Sequence, residues 1–187
     1  MQETERQLTE AIRAGDREAL QRLYERFSRY AMGIALRYVS ERDNALDVVQ
    51  DSFVSILTSI GSFEYRGEGS LKSWVSKIVA NQAIYWVKRH ELLSFTELPS
   101  EETASEKEDE VEDTPFEKVP LDVLNKMIGR LPARYRIIVN LHVFEELPHR
   151  EIARQLGIKE KTSVSQFSRA RRKLAEMIKE YLNSQRI

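Results

Sequence analysis

The stretch LPHREIARQLGIKEKTSVSQFSRARRKLAEMIKEYL, residues 147–182, reads as two helices separated by a tight turn. Pro148 suits a helix start, because its missing N–H is one that a first turn leaves unpaired anyway. Ile152, Ala153 and Leu156 then face inward, and Gly157 supplies the turn. From about Glu160 a longer helix is expected to place Val164, Phe167, Leu174, Ile178 and Tyr181 inward. Short helix, glycine turn and second helix make the helix-turn-helix pattern. Just upstream, Leu121, Leu124, Ile128 and Leu131 outline a helix that ends at Pro132. Another carries Tyr135, Ile138, Leu141 and either Val143 or Phe144.

Further out, the first 98 residues contain none of the five prolines, and their apolar spacing is helical. A short helix is expected around Thr4–Ala14. From Asp16, an N-cap after Gly15, a long helix buries Leu20, Leu23, Tyr24, Phe27, Ala31, Ile34, Ala35 and Tyr38. The next starts near Asp43 with Leu46, Val49, Phe53, Ile56, Leu57 and Ile60, and a third near Ser70 with Leu71, Trp74, Val75, Ile78 and Val79. Between them, Gly61, Gly67 and Gly69 demand irregular backbone in a loop whose aromatic and basic side chains are not obvious packing material. Binding residues are often found on such loops between rigid helices.

The net charge of −1 hides a strong division along the chain. Residues 1–92 carry 13 Lys/Arg and 13 Asp/Glu, residues 93–119 carry 2 and 10, and residues 120–187 carry 14 and 7. The acidic middle is nearly devoid of large apolar side chains over residues 97–119 and is read as a flexible linker. It lacks the ligand spacing and central glycine of a calcium loop. The basic end suggests contact with nucleic acid. The expected architecture is therefore all-α, with two small helical domains at 1–92 and 120–187 joined by an acidic flexible linker at 93–119.

Catalysis finds little support. The absence of cysteine removes disulfides, thiol nucleophiles and Cys-ligated metals together. His90, His142 and His149 show no metal spacing, and His149 reads as a solvent-exposed residue in a first helical turn. No phosphate-binding glycine motif and no nucleophilic serine elbow occur, so neither enzyme activity, metal nor cofactor is expected. The first ten residues have no apolar core and no stretch is long enough to span a bilayer, so an intracellular soluble protein is expected. On the last helix, Lys161, Thr162, Ser165, Gln166, Ser168, Arg169, Arg171 and Arg172 combine short polar and basic groups. These suit base edges in a major groove and the phosphates beside them.

Together, Arg66-Gly67-Glu68, Leu71-Lys72-Ser73-Trp74-Val75, Ile78, Asn81, Glu151-Ile152-Ala153, Leu156-Gly157-Ile158 and Ser168-Arg169-Ala170-Arg171-Arg172-Lys173-Leu174 resemble bacterial extracytoplasmic-function sigma factors of the sigma-70 family. Asp47-Val48-Val49-Gln50-Asp51-Ser52-Phe53 resembles their polymerase-binding helix, and the resemblance covers nearly the whole chain. It implies sigma region 2 and region 4 domains, binding to the β′ and β subunits of core RNA polymerase, promoter recognition and DNA melting. Asp47, Gln50, Asp51 and Phe53 would meet the β′ clamp helices. Tyr65, Arg66, Leu71, Lys72, Lys77, Asn81, Tyr85, Lys88 and Arg89 would hold the melted downstream promoter element, with the loop near Leu71 capturing a flipped base. Tyr85 stands where many relatives have a polar residue, which suggests stacking. Lys161, Thr162, Ser165, Gln166, Ser168, Arg169, Arg171 and Arg172 would read the upstream element. The order Thr162-Ser163-Val164 departs from the family pattern and shifts which side chains face DNA.

The resemblance also implies an anti-sigma factor as regulator, a bacterial cytoplasmic location and no direct membrane insertion. The linker acids, tethered beside a segment of net +7, are expected to compete with DNA and weaken promoter binding by the free protein. Two rival readings stay open on sequence alone. One is a free-standing helix-turn-helix regulator, which has no use for the Asp47–Phe53 surface. The other is a helical adaptor that binds only proteins, against which stands the dense basic helix.

Overall fold

A computed structural model describes residues 3–90 and 116–185, where the regular structure is entirely helical. The chain divides into two compact units, residues 1–87 and 88–187.

The N-terminal unit is built on α1 (Glu5–Arg13), α2 (Arg17–Tyr38), α3 (Arg42–Ser59) and α4 (Ser70–His90). Local chemistry explains the starts. Thr4 and Gln7 form a reciprocal capping box at α1. Asp16 caps α2 by accepting the Glu18 N–H at 2.9 Å, after Gly15 reverses the chain at φ +85°. The α2 residues Leu23, Phe27, Ala31, Ile34 and Tyr38 are buried, as are Val48, Val49, Phe53 and Ile56 of the adjoining α3. Leu71, Val75, Val79, Ala83 and Val87 recur every four residues as the buried side of α4.

Three expectations fail here. Leu46 and Leu57, assigned to the core, are exposed, because the apolar residues of α3 span more of the helix than its packed face covers. Tyr24 is also exposed, although its ring lies 4.7 Å from that of Phe53. Phe63, on the loop thought poor in packing material, is buried with its ring 5.2 Å from that of half-buried Trp74.

The C-terminal unit contains a 3₁₀ turn (Phe116–Lys118), α5 (Leu121–Gly129), α6 (Ala133–Val139), α7 (His149–Leu156) and α8 (Glu160–Ser184). A π-helical turn, Asn140–Phe144, continues α6. Val119, Met127, Ile128, Leu131, Val139, Ala170, Leu174 and Ile178 form a core, flanked by Phe116, Phe144 and Phe167. The wider π turn resolves the choice left by the sequence: Phe144 packs on the core and Val143 is exposed. Residues 116–119, read as the end of the linker, instead join this core, since Phe116 and Val119 supply apolar surface to bury. The remainder of the linker, residues 93–115, lies outside the described residues.

Arg136 ties the α5–α6 corner, its Nη1 donating to the Gly129 carbonyl at 2.9 Å. Gly157 closes α7 in the left-handed conformation at φ +73°, and the Ile158 N–H returns to the Ala153 carbonyl at 3.0 Å. Three residues later α8 begins.

Candidate nucleic-acid and partner interfaces

On α8 the structure sorts the expected readers into outward and inward sets. Lys161, Ser165, Ser168, Arg171 and Arg172 are exposed, Thr162 and Arg169 half-buried on the flank. Gln166 faces the other way. It is 2% exposed and lies on the buried side with Ser163, Ala170 and Leu174, and neither amide atom has a hydrogen-bond partner. As placed, it cannot reach a base edge. Val164, expected inward, is 47% exposed and shares one helical face with Lys161, Ser165 and Ser168. Residues 161, 164, 165 and 168 follow the three- and four-residue steps of one face, but that spacing alone does not say which face is covered. Reading Val164 as core from its apolarity alone rotated the helix. The result is a basic and hydroxylic surface with one methyl-bearing side chain, the composition that discriminates bases in a major groove.

Behind that surface His149 is half-buried rather than solvated. Its Nδ1 lies 2.9 Å from Ser163 Oγ, and its ring stacks on His142 at 4.3 Å between centroids and 19° between planes. Phe167 meets the His142 ring edge-on at 4.6 Å. Burial first, and the His142 ring second, hold the His149 imidazole below its ordinary pKa, with Glu160 acting in the opposite sense.

In the N-terminal unit, the loop before α4 is gripped by α1. The buried Glu5 carboxylate accepts N–H groups from Gly69 and Leu71 at 2.9 Å each and from Lys72 at 3.3 Å. In return the Glu5 N–H donates to both carboxylate oxygens of Glu68, at 3.2 and 3.4 Å. Tyr65 donates its hydroxyl to Glu68 Oε1 at 3.1 Å and is pushed above the ordinary phenol pKa, by burial first and by that bond second. At the other end of the loop, Arg13 donates to the Phe63 carbonyl. Arg66 is exposed and pairs with Glu64 at 3.0 Å, a surface pair of small energetic weight. Leu71, expected near the captured base, is fully buried and serves the core.

Along the outside of α4, Lys77, Asn81, Tyr85 and Arg89 recur every four residues, and Tyr85 is 60% exposed. A groove between α3 and α4 beside Tyr85 is lined by Ser55, Ile78, Asn81 and Gln82, with Gln82 donating to Ser55 Oγ at 2.8 Å. Half-buried Lys88 is held below its ordinary pKa by burial. Lys72 sits with its ammonium 4.7 Å from the Tyr30 ring centroid.

The outer face of α3 carries Asp47, Gln50 and Asp51, all exposed, beside Leu46, Val54 (63% exposed) and Leu57. Phe53 does not belong to this surface, being buried against Tyr24. The three exposed apolar side chains were not among the expected contacts. The clue lay in α3 having more apolar positions than one packed face can hold. Acidic groups interleaved with apolar ones form the kind of surface that docks on a partner with complementary charge.

Among the described residues no group of three or more His, Asp or Glu side chains could hold a metal ion, and no helix is long and apolar enough to cross a membrane.

Comparison with known proteins agrees with this division. The family described as Sigma-70 region 2 matches residues 23–92, and Sigma-70, region 4 matches residues 121–174. RNA polymerase sigma factor SigV of Bacillus subtilis is 32% identical over 138 residues, covering 73% of this chain and 77% of that protein. The ECF RNA polymerase sigma-E factor of Haemophilus influenzae is 28% identical over 187 residues, covering 94% and 95%. Among solved structures, the sigma factor RpoE in complex with the anti-sigma factor NepR from Bartonella quintana shares the fold, with a TM-score of 0.51 at 20% identity over 85% of this chain and 96% of that one.

Proposed function

The chain belongs to the extracytoplasmic-function sigma factors of the sigma-70 family, and on that premise we propose how its surfaces divide the work of transcription initiation. The outer face of α3, with Asp47, Gln50 and Asp51 around Leu46, Val54 and Leu57, docks on core RNA polymerase. Its carboxylates meet basic groups while the apolar side chains are covered. The exposed edge of α4 and the preceding loop, through Tyr65, Arg66, Lys72, Lys77, Asn81, Tyr85, Lys88 and Arg89, hold the downstream promoter strand once it separates. Cations follow the backbone and Tyr85 offers a stacking surface. The outward face of α8 reads the upstream element. Lys161, Arg171 and Arg172 contact phosphates, Arg169 and the hydroxyls of Thr162, Ser165 and Ser168 contact base edges, and Val164 packs on a thymine methyl.

The observation that carries this reading is the sorting of α8, with a polar and basic face outward and Ser163, Gln166 and Ala170 inward. An adaptor that binds only proteins has no need of that face. The protein contributes no enzymatic step of its own, acts in the cytoplasm and is regulated by an anti-sigma protein, as the sigma factor RpoE is solved in complex with the anti-sigma factor NepR.

The test is reconstituted transcription with bacterial core polymerase and a library of promoter fragments, with and without the protein. Initiation from a subset of fragments only when the protein is present is the expected result. Footprinting of DNA by the protein alone, with no effect on polymerase, would instead establish a free-standing regulator. Within that assay, Arg169→Ala should relax preference at one upstream base and cost about 1–3 kcal/mol. A uniform loss over all promoters would make Arg169 a phosphate contact.

A further inference from the structure

We propose that Glu5 is a positioning residue for the loop that captures the melted base, acting through a reciprocal cap with Glu68; the inference rests on the promoter-melting role given above to that loop. Glu5 is the first residue of α1, and Glu68 lies two residues before α4 begins. Each carboxylate accepts N–H groups belonging to the other's helix start. Glu5 takes those of Gly69, Leu71 and Lys72, and Glu68 takes that of Glu5. The two residues are 63 positions apart in sequence, so α1 and the loop define each other's geometry only in the folded unit.

Two consequences follow. The first concerns what the loop can bind with. A helix start ordinarily offers free N–H groups to phosphate. Here Glu5 already holds the amides at the start of α4, with its own side chain 3% exposed and out of reach of DNA. The loop must therefore meet nucleic acid with side chains, chiefly Tyr65 and Arg66, and their placement decides which base fits. The second concerns what fixes those side chains. Gly67 and Gly69 adopt φ of +117° and +89°, and glycine has no side chain with which to lock its own backbone. Between Arg13 at Phe63 and Glu5 at Gly69, both ends of the loop are anchored to α1. Glu68 then fixes Tyr65 from within, through its hydroxyl.

The experiment uses holoenzyme assembled from core polymerase and the full chain, with Glu5→Gln and Glu68→Ala as variants. Affinity is measured for single-stranded non-template oligonucleotides, varied one base at a time through the downstream element. Core affinity and the unfolding transition seen by Trp74 and Trp86 are recorded beside it. Glu5→Gln places a donor amide against N–H groups, and Glu68→Ala removes the returning acceptor from an exposed position. Both should reduce discrimination at one base position by about tenfold, in keeping with the steep dependence of recognition on placement. Preferences elsewhere and core affinity should stay as in the wild type. Wild-type discrimination retained by both variants overturns the proposal, as does an equal loss at every position together with core affinity, which is what a purely structural role would give. A wild-type holoenzyme indifferent to every base overturns the melting role itself, and the proposal with it. Should Glu5→Gln not fold, Glu68→Ala decides alone.

Discussion

The loop over residues 61–70 and the turn at Gly157 do the same job in the two units: each joins two helices, and each needs glycine at positive φ. They are held in different ways. Gly157 is locked by its neighbours, with Ala153 accepting backbone N–H groups of the turn. Loop 61–70 is held by Glu5 and Arg13, which lie more than 45 residues away. The short turn carries its geometry in its own sequence, whereas the longer loop adds anchors from α1 to its local bonds, in which Ser70 Oγ donates to the Gly67 carbonyl at 2.6 Å and accepts the Arg66 N–H at 3.2 Å. The difference suits the tasks argued for each. A turn that sets the angle of a recognition helix needs one fixed conformation, and a loop that presents side chains to a base needs a rigid support behind it.

The largest expected effect tests the borrowed anchor. Glu5→Ala strips the acceptor from the buried Leu71 N–H and the half-buried N–H groups of Gly69 and Lys72 and should destabilise the N-terminal unit by about 2–3 kcal/mol. Both tryptophans, Trp74 and Trp86, lie in the N-terminal 90 residues, so the fluorescence transition reports that unit. An unchanged midpoint would mean the cap carries no stabilisation. Next comes the local anchor. Gly157→Ala meets nothing within 4 Å of the added carbon, so only the backbone conformation is penalised, by about 1–2 kcal/mol. That loss should appear in helical circular dichroism and leave the tryptophan transition in place. If it moves both, the two units do not unfold independently.

A smaller effect, of opposite sign, is expected at Gln166. Its amide is buried without hydrogen-bond partners, so Gln166→Leu should be neutral or stabilising by about 1 kcal/mol and should not alter promoter preference. A changed preference would return Gln166 to the reading face. The smallest effect is a pH dependence confined to the C-terminal unit. Because His149 is held below its ordinary value of about 6.5, the unfolded chain takes up that proton first as the pH falls. The contribution is therefore complete above about pH 6.5 and is lost as the pH drops through that value toward the lower folded one. Melting followed above about pH 5.5, where carboxylates remain ionised, should show this slope, and His149→Gln should flatten it.

How much of this was legible depends on how far apart in sequence the deciding groups lie. The cap at Asp16, the glycine at 157 and the helical spacing of α4 are local, and the sequence states them directly. The same holds for the helix-turn-helix itself and for the basic character of α8. The rotation of α8 was not legible from composition, because Val164 and Gln166 each look like the other's role. An apolar residue sits outside and a carboxamide inside, a choice made by what α6 and α7 place beneath the helix. Likewise Leu46 and Leu57 read as core because apolar spacing cannot say how wide the covered face will be. The linker's charge points to competition with DNA, but residues 93–115 lie outside the described structure.

By itself, then, the sequence determined the helices, the cap at Asp16, the glycine turn and the family, since all rest on contacts within a few residues or on motifs read in order. Only the tertiary structure decided that Gln166 is interior, that Val164 and Val54 are surface, and that Glu5 is the anchor of a loop 63 residues away. The reason is physical. Helical periodicity constrains which residues share a side, but which side faces the core, and which buried carboxylate meets which orphan N–H, is set by neighbours that chain folding brings together.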